Sequence, residues 1–150
     1  MTWKPSGAEL ATLYCEVNET FARYNRGFDT CDYDELLDTM TDDVTWISRP
    51  MGTIEGREAM AAFLEKFDSE EKYSKYRTGA SQHRVQNLLL EPVTENQVKA
   101  WSHWSYSLDT PEGPHLAILG EYVDVLVKEA DGRWRFKVRD ILIKSDSGRA

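Results

Sequence analysis

Four long segments in the second half of the chain, residues 81–91, 97–108, 116–129 and 133–144, are dense in valine, leucine, isoleucine and aromatic side chains. Only the short turn signals Thr94-Glu95-Asn96, Asp109 through Gly113 and Asp131-Gly132 separate them. A parallel crossover needs roughly a dozen residues or more, so links this short restrict the segments to an antiparallel meander.

The first half has a different period. Leu10, Leu13, Tyr14, Val17, Phe21, Tyr24 and Phe28 recur at steps of three and four, an apolar stripe on a helix of about five to six turns. Ser6-Gly7-Ala8-Glu9 has the spacing of a capping box at its start, and Gly27 is expected to loosen its last turn. Asp32-Tyr33-Asp34-Glu35 opens a short second helix carrying Leu36, Leu37 and Met40. Residues 44–48 read as a strand, Pro50 and Gly52 as a turn, and residues 53–55 as a short returning strand. Ala59, Met60, Phe63, Leu64 and Phe67 mark a third helix, and residues 68–76 a charged, mobile loop. Helices followed by a meander make an α+β pattern. Strands curling over the helical stripe would enclose a pocket between sheet and helices.

Length and charge narrow the function. A chain of 150 residues without repeats or linkers reads as one domain over 1–150, large enough for a core without disulfides or metal. A net charge of −8 disfavours nucleic acid and anionic membranes as partners. No stretch approaches the roughly 20 apolar residues of a membrane span, and residues 1–10 lack the apolar run of a signal peptide. A cytoplasmic location is therefore expected, with Cys15 reduced in a core and Cys31 reduced near a helix end.

Few residues have the right chemistry and setting for catalysis. Asp29 ends the apolar stripe, where the helix macrodipole disfavours a carboxylate; it is either a solvated helix-end residue or one with a compensating partner. His83 is the natural partner, on a strand face expected to carry Val85, Asn87 and Leu89 as well. A carboxylate on one ring nitrogen would fix the tautomer and leave the other nitrogen to take a proton. Tyr24 is either core or a phenol aimed into a cavity, and Trp46, Trp104 and Tyr106 are wall candidates. Strict alternation places Trp134, Phe136 and Val138 on one face and Arg135, Lys137 and Arg139 on the other. Ile141 and Ile143 continue the Arg139 face, so Arg139 would adjoin a concave apolar surface and need an anionic partner. No Gly-rich phosphate loop, GxSxG elbow or HExxH motif is present, and His83, His103 and His115 lack metal-ligand spacing; no cofactor or metal is implied.

Residues 24–60, YNRGFDTCDYDELLDTMTDDVTWISRPMGTIEGREAM, resemble the SnoaL-like branch of the nuclear transport factor two-like superfamily. The resemblance lies in the D-x-x-D-Y-D-x-L segment, the T-D-D-V strand start and the G-R-E-A helix start. SQHRVQN, GEYVD and DGRWRFKVRDILI extend it over nearly the whole chain. It implies a cone-shaped α+β barrel, a curved and mostly antiparallel sheet wrapped around N-terminal helices with a deep apolar cavity. Within the superfamily the chain is most similar to the scytalone dehydratase, hexachlorocyclohexane dehydrochlorinase and bile acid dehydratase type. That similarity gives Asp29 and His83 the positions of a catalytic pair, Tyr24 that of a Tyr preceding the Asp, and Arg139 that of an Arg on the last strand. Phe28 stands where scytalone dehydratase has a substrate-binding Tyr, Ser48 falls near a second, and Leu108 lies about where that enzyme has another His. Glu121 falls near positions lining the cavity. The implied function is a cofactorless lyase acting on a small aromatic or polycyclic molecule. The alternatives are an isomerase or polyketide cyclase, or a non-catalytic ligand-binding or assembly subunit. A homodimer or homotrimer built on the outer sheet face, with Trp101 and His103, is also implied.

Overall fold

The capping box at the chain's first helix closes reciprocally. Ser6 Oγ accepts the Glu9 amide at 3.3 Å, and the Glu9 carboxylate accepts the Ser6 amide at 2.7 Å. From there α1 runs over Gly7–Thr30 in the computed structural model, which describes residues 2–147. Its stripe buries Leu13, Val17, Phe21 and Tyr24, none more than 3% exposed. Cys15 falls between stripe positions and is exposed, contrary to the expectation of a core thiol. Cys31 caps the helix in the left-handed region at φ 58°.

Gly27 does not loosen α1. It lies in regular helix, and a Cβ there would meet Leu36 Cβ at 2.8 Å and both Asp32 O and Leu36 N at 2.9 Å. The missing side chain lets α2, Tyr33–Asp38, lie directly on α1. Met40 belongs to the next element, β1 at Met40–Ser48, which makes a hairpin with β2 at Gly52–Glu55. Helix α3 covers Arg57–Ser69. The segment expected to be a mobile loop contains a 3-10 helix at Glu71–Tyr76, held by aromatic packing. Tyr73 and Tyr76 stack on Phe67 with ring centroids 4.9 and 6.2 Å apart.

The four long segments form β3 at Gln82–Thr94, β4 at Gln97–Thr110, β5 at Gly113–Lys128 and β6 at Trp134–Asp146. They pair as the expected antiparallel meander, and β1 joins β6 in parallel. The sheet order is β2-β1-β6-β5-β4-β3, so this α+β fold is a curved sheet with two free edges rather than a closed barrel. Among the described residues no helix is long and apolar enough to cross a membrane.

Two bulges overturn the expected alternation. In β3 the register slips between Gln86 and Leu89, with Asn87 at φ 56°. Leu88 and Leu90 therefore continue the inner face of His83 and Val85, while Leu89 turns out, 61% exposed. In β6 one extra residue, Lys137, lies between the partners of Leu126 and Val125. Phe136 and Arg139 thereby share the inner face, both fully buried, instead of opposing one another. Outside, Leu89 pairs with Trp101 and Trp101 with Val123, and Leu119 follows on β5; Leu89, Leu119 and Val123 are exposed.

Gly27→Ala tests the α1–α2 contact. Two of the three atoms that its Cβ would meet are backbone. Overpacking of this kind costs about 1–3 kcal/mol. Thermal unfolding should show a melting temperature several degrees lower; an unchanged one would mean that the helices are not in close contact there.

Candidate active site

Asp29 is the penultimate residue of α1 and His83 the second residue of β3. The Asp29 carboxylate holds His83 twice. It accepts the His83 backbone N–H at 3.0 Å and 3.2 Å on its two oxygens, and its Oδ1 lies 2.6 Å from His83 Nδ1. With Asp29 ionised, that contact assigns the Nδ1–H tautomer to the neutral ring. Nε2 then carries the lone pair, and it has no hydrogen-bond partner among the described residues. The imidazole is wedged between Tyr106 at 4.4 Å, Phe28 at 5.8 Å and Trp104 at 6.1 Å, centroid to centroid.

These groups border a cavity of about 160 Å³ between sheet and helices. Tyr24, Phe28, Asp29, Trp46, His83, Trp104 and Tyr106, all singled out from sequence, line it. Ser48 lines it as well, whereas Leu108 does not. Tyr76, Ile118, Tyr122 and Asp146 also line it and were not anticipated. Trp46 Nε1 donates to the Tyr24 hydroxyl at 2.8 Å, so that oxygen accepts from the wall and keeps its own proton to donate. Burial pushes the Tyr24 phenol above its ordinary range, against the opposing charge of Arg139. Burial likewise pushes Tyr106 up to about 12.

Arg139 does not line the cavity. It is fully buried behind it, where its Nη1 donates to Asp124 Oδ2 at 3.0 Å. Its guanidinium carbon lies 3.7 Å from the Tyr122 ring centroid, 4.0 Å from that of Tyr24, 4.3 Å from Phe136 and 5.0 Å from Phe21. The anionic partner that sequence required is thus Asp124, and the rings of Tyr24 and Tyr122 stand between the cation and the cavity. Asp124 Oδ1, Arg139 Nε and Nη2, and Ser102 Oγ are buried with no hydrogen-bond partner among the described residues.

Glu121 is placed on the opposite face from the cavity. Its carboxylate lies 3.5 Å from Lys144 Nζ, and it pairs in register with the outward His103. Strand alternation turns its neighbour Tyr122 inward instead. Parity counted from the inward Trp104 could have identified Tyr122. Tyr76 gave no signal, because its aromatic ring sits in a stretch dominated by charge. Among the described residues no three His, Cys, Asp or Glu side chains gather to hold a metal ion.

A cavity between helices and a curved open sheet, with a carboxylate–imidazole pair at its wall, defines a pocket-bearing α+β class of protein. Residues 9–140 match the SnoaL-like domain family, and the chain belongs to it, within the NTF2-like superfamily. A structure from Catenulispora acidiphila is 26% identical, with a TM-score of 0.76 over 89% of this chain and 93% of its own. A putative scytalone dehydratase from Novosphingobium aromaticivorans is 18% identical, with a TM-score of 0.76 over 97% of this chain and 99% of its own. An NTF2-like protein with a cystatin-like fold from the same organism is 20% identical, with a TM-score of 0.76 over 95% of this chain and 89% of its own. No curated protein matches the chain at the same level of significance.

The buried pair should leave a signature in stability. Burial raises the Asp124 carboxyl to about 7; the charge of Arg139 opposes that rise and the nearby Asp140 adds to it. The unfolded chain ionises Asp124 near pH 3.9, so the folded state binds the extra proton between roughly pH 4 and 7. The contribution of Asp124 is therefore greatest below about pH 4 and declines as pH rises through that window. Tyr24 and Tyr122, the other titratable groups facing the pair, stay protonated there, because burial raises both. Urea denaturation of wild type and Asp124→Asn should give a stability difference that shifts against the wild type from pH 4 to 7 and then levels off. A difference independent of pH would contradict it.

Proposed function

We propose that this protein is a cofactor-independent lyase, dehydratase-like, that acts on a small ring-bearing organic molecule by general base catalysis. The observation that carries the proposal is the 2.6 Å contact between Asp29 Oδ1 and His83 Nδ1 at the cavity wall. Similarity to a putative scytalone dehydratase supports the reaction class, and membership of the SnoaL-like family supports the pocket's use for small molecules.

In this reading His83 Nε2 takes a proton from carbon beside an activating group. For loss of water or halide, the electrons of the broken C–H bond form the new double bond and the leaving group departs with its bonding pair, as halide, or as hydroxide that takes the proton back from the imidazolium to become water. For loss of formaldehyde, Nε2 would instead take the proton of a hydroxymethyl O–H, the C–C bond would break with its electrons passing to the activated carbon, and that carbanion would be reprotonated by the imidazolium. Asp29 stabilises the imidazolium that forms. Tyr24 donates its hydroxyl hydrogen to the oxygen where negative charge develops. Arg139 acts through Tyr24 and Tyr122 rather than by touching substrate. An isomerase or polyketide cyclase would use the same pair for the same first step and differ only in the fate of the carbanion. The pair also argues against a non-catalytic ligand-binding subunit, which has no need of a free imidazole nitrogen beside an apolar cavity.

Screening aromatic and polyketide-like alcohols for loss of water or formaldehyde would supply the assay. His83→Ala should then lower turnover by at least a hundredfold with the circular dichroism spectrum unchanged. Asp29→Asn should do nearly as much, and Tyr24→Phe should cost roughly ten- to a thousandfold. Turnover by His83→Ala within tenfold of wild type would place the base elsewhere.

We also propose a homodimer or homotrimer built on the outer sheet face, where Leu89, Trp101 and Val123 meet side by side across β3, β4 and β5. Light scattering at micromolar concentration should give two or three times the 17.3 kDa chain mass. A species of 17.3 kDa would rule the assembly out.

A further inference from the structure

The Asp29–His83 pair is a partition between two spaces. In front of it lies the cavity between sheet and helices. Behind it a second cleft, of about 440 Å³, runs between α1 and the free edge of β3, and Asp29 and His83 line both. Aromatic and aliphatic side chains make up most of the first wall, whereas Asn18, Asn25, Arg26 and Gln82 give the second a polar one. The cleft has an exposed rim at Asn18, Arg26 and Gln82 and a floor made by buried Asn25 and the half-buried pair.

Asn25 is the unusual floor residue. It stands one helical turn before Asp29 on the same face of α1. It is 9% exposed, and its Oδ1 has no hydrogen-bond partner among the described residues. A buried acceptor left unpartnered is costly, so packing alone is a poor reason for an amide there. An acceptor on the floor of a cleft with a polar, exposed rim is suited to hold water beside Asp29. The carboxylate has a use for that water. Among the described residues its three hydrogen bonds all come from His83, and the cavity in front is mostly apolar. A carboxylate cut off from water favours its neutral form, which cannot stabilise an imidazolium.

We infer that the cleft between α1 and β3 is a solvent port to the pair, with Asn25 as a positioning residue that anchors water against the outer side of Asp29. The carboxylate is hydrated and exchanges protons with bulk water through this port, without water crossing the ligand cavity. Each exchange replaces one proton by another from water and needs no co-reactant. A ligand that fills the cavity then leaves the back of the pair wet. This deepens the lyase reading and rests on the same pair, but it concerns solvent access rather than turnover.

The test follows the two protons that Asp29 accepts, the His83 amide and Nδ1–H, by their exchange with water in the isotope-labelled full chain. The Leu90 amide is the internal reference, because it is tied to Tyr14 of the same helix at 3.2 Å and neither residue lines the cleft. Ala22→Trp places an indole over the cleft from an exposed helix position. It should slow both His83 protons about tenfold relative to Leu90. Asn25→Leu should slow them about threefold without lowering the melting temperature, whereas Asn25→Ser, which keeps an acceptor, should stay within about twofold of wild type. Met51→Trp, on the wall of the ligand cavity, should also leave both rates within about twofold. Rates unchanged in Ala22→Trp would overturn the port, and slowing by Met51→Trp as large as that by Ala22→Trp would overturn its independence of the ligand cavity. Slowing by Asn25→Ser equal to that by Asn25→Leu would overturn the role given to Asn25. These outcomes are separable from those of the base. Turnover retained by His83→Ala would sink the lyase reading whatever Ala22→Trp does to exchange, and unchanged exchange in Ala22→Trp would sink the port whatever His83→Ala does to turnover.

Discussion

The carboxylate of Asp29 has two structural partners in one residue, the backbone N–H and the Nδ1 of His83. That shared anchor ties the end of α1 to the start of β3, an edge strand whose other long side is unpaired. An acidic group at a helix C-terminus is disfavoured by some tenths of a kcal/mol. A hydrogen bond to a charged group contributes about 1.5–3 kcal/mol, so the two contacts outweigh the dipole term. The bond that docks the strand also sets the ring's tautomer and its angle to the cavity. The ring's orientation toward the cavity is a by-product of how the edge strand is attached, and the imidazole cannot drift without loosening β3.

Behind the cavity lies the second constraint, an ion pair wholly inside the protein. Burying two charges costs several kcal/mol per ion, and replacing such a pair by apolar residues is often neutral or stabilising. Arg139 and Asp124 recover part of that cost from each other and from the four rings around the guanidinium. Three of the pair's polar atoms still lack protein partners among the described residues, as does the nearby Ser102 Oγ. Ser102 and Asp124 are diagonal neighbours on the inner face, since Ser102 pairs with Tyr122 and Ala100 with Asp124. A pair this incompletely satisfied is poorly explained by stability. Its placement against Tyr24 and Tyr122 makes better sense as a fixed positive field behind two phenols that line the pocket.

Helix α1, the four long strands and their antiparallel order were legible because apolar period and turn spacing are local properties. The partnership of Asp29 and His83 was only weakly legible from pattern, since 54 residues separate them; a carboxylate misplaced at a helix end suggested it, and family resemblance gave the two residues the positions of a pair. The faces of β3 and β6 were misread beyond Asn87 and before Arg139 for one physical reason. A bulge inserts a residue and reverses parity; Lys137 gives no sign of one in sequence, and Asn87, a residue type enriched at positive φ and depleted in strands, was a signal passed over. Gly27 was misread because its role depends on a neighbour in another helix, a contact its own helical pattern cannot reveal. Tyr73 and Tyr76 were hidden by the charges around them, although their rings order the segment.

The wall opposite α1 shows how backbone and side chains jointly fix the pocket's character. Gly120 lies on β5 beside Trp104, and a Cβ there would come within 2.3 Å of both Trp104 Nε1 and the Leu142 carbonyl oxygen. Its absence lets the indole lie across the strand, donate to Leu142 on β6 and stack on Tyr122 with ring planes 10° apart at 5.2 Å. Tyr122 is therefore gripped between Trp104 and the Arg139 guanidinium, and its ring cannot turn without disturbing both. On the facing side Trp46 fixes the Tyr24 hydroxyl in the same way, through its only donor. With both indole N–H groups engaged inside the protein, the large aromatic faces present only apolar surface to a ligand. The polar groups at the wall are then the Tyr24 hydroxyl, His83 Nε2 and the side chains of Asp29, Ser48 and Asp146, together with the phenols of Tyr76, Tyr106 and Tyr122.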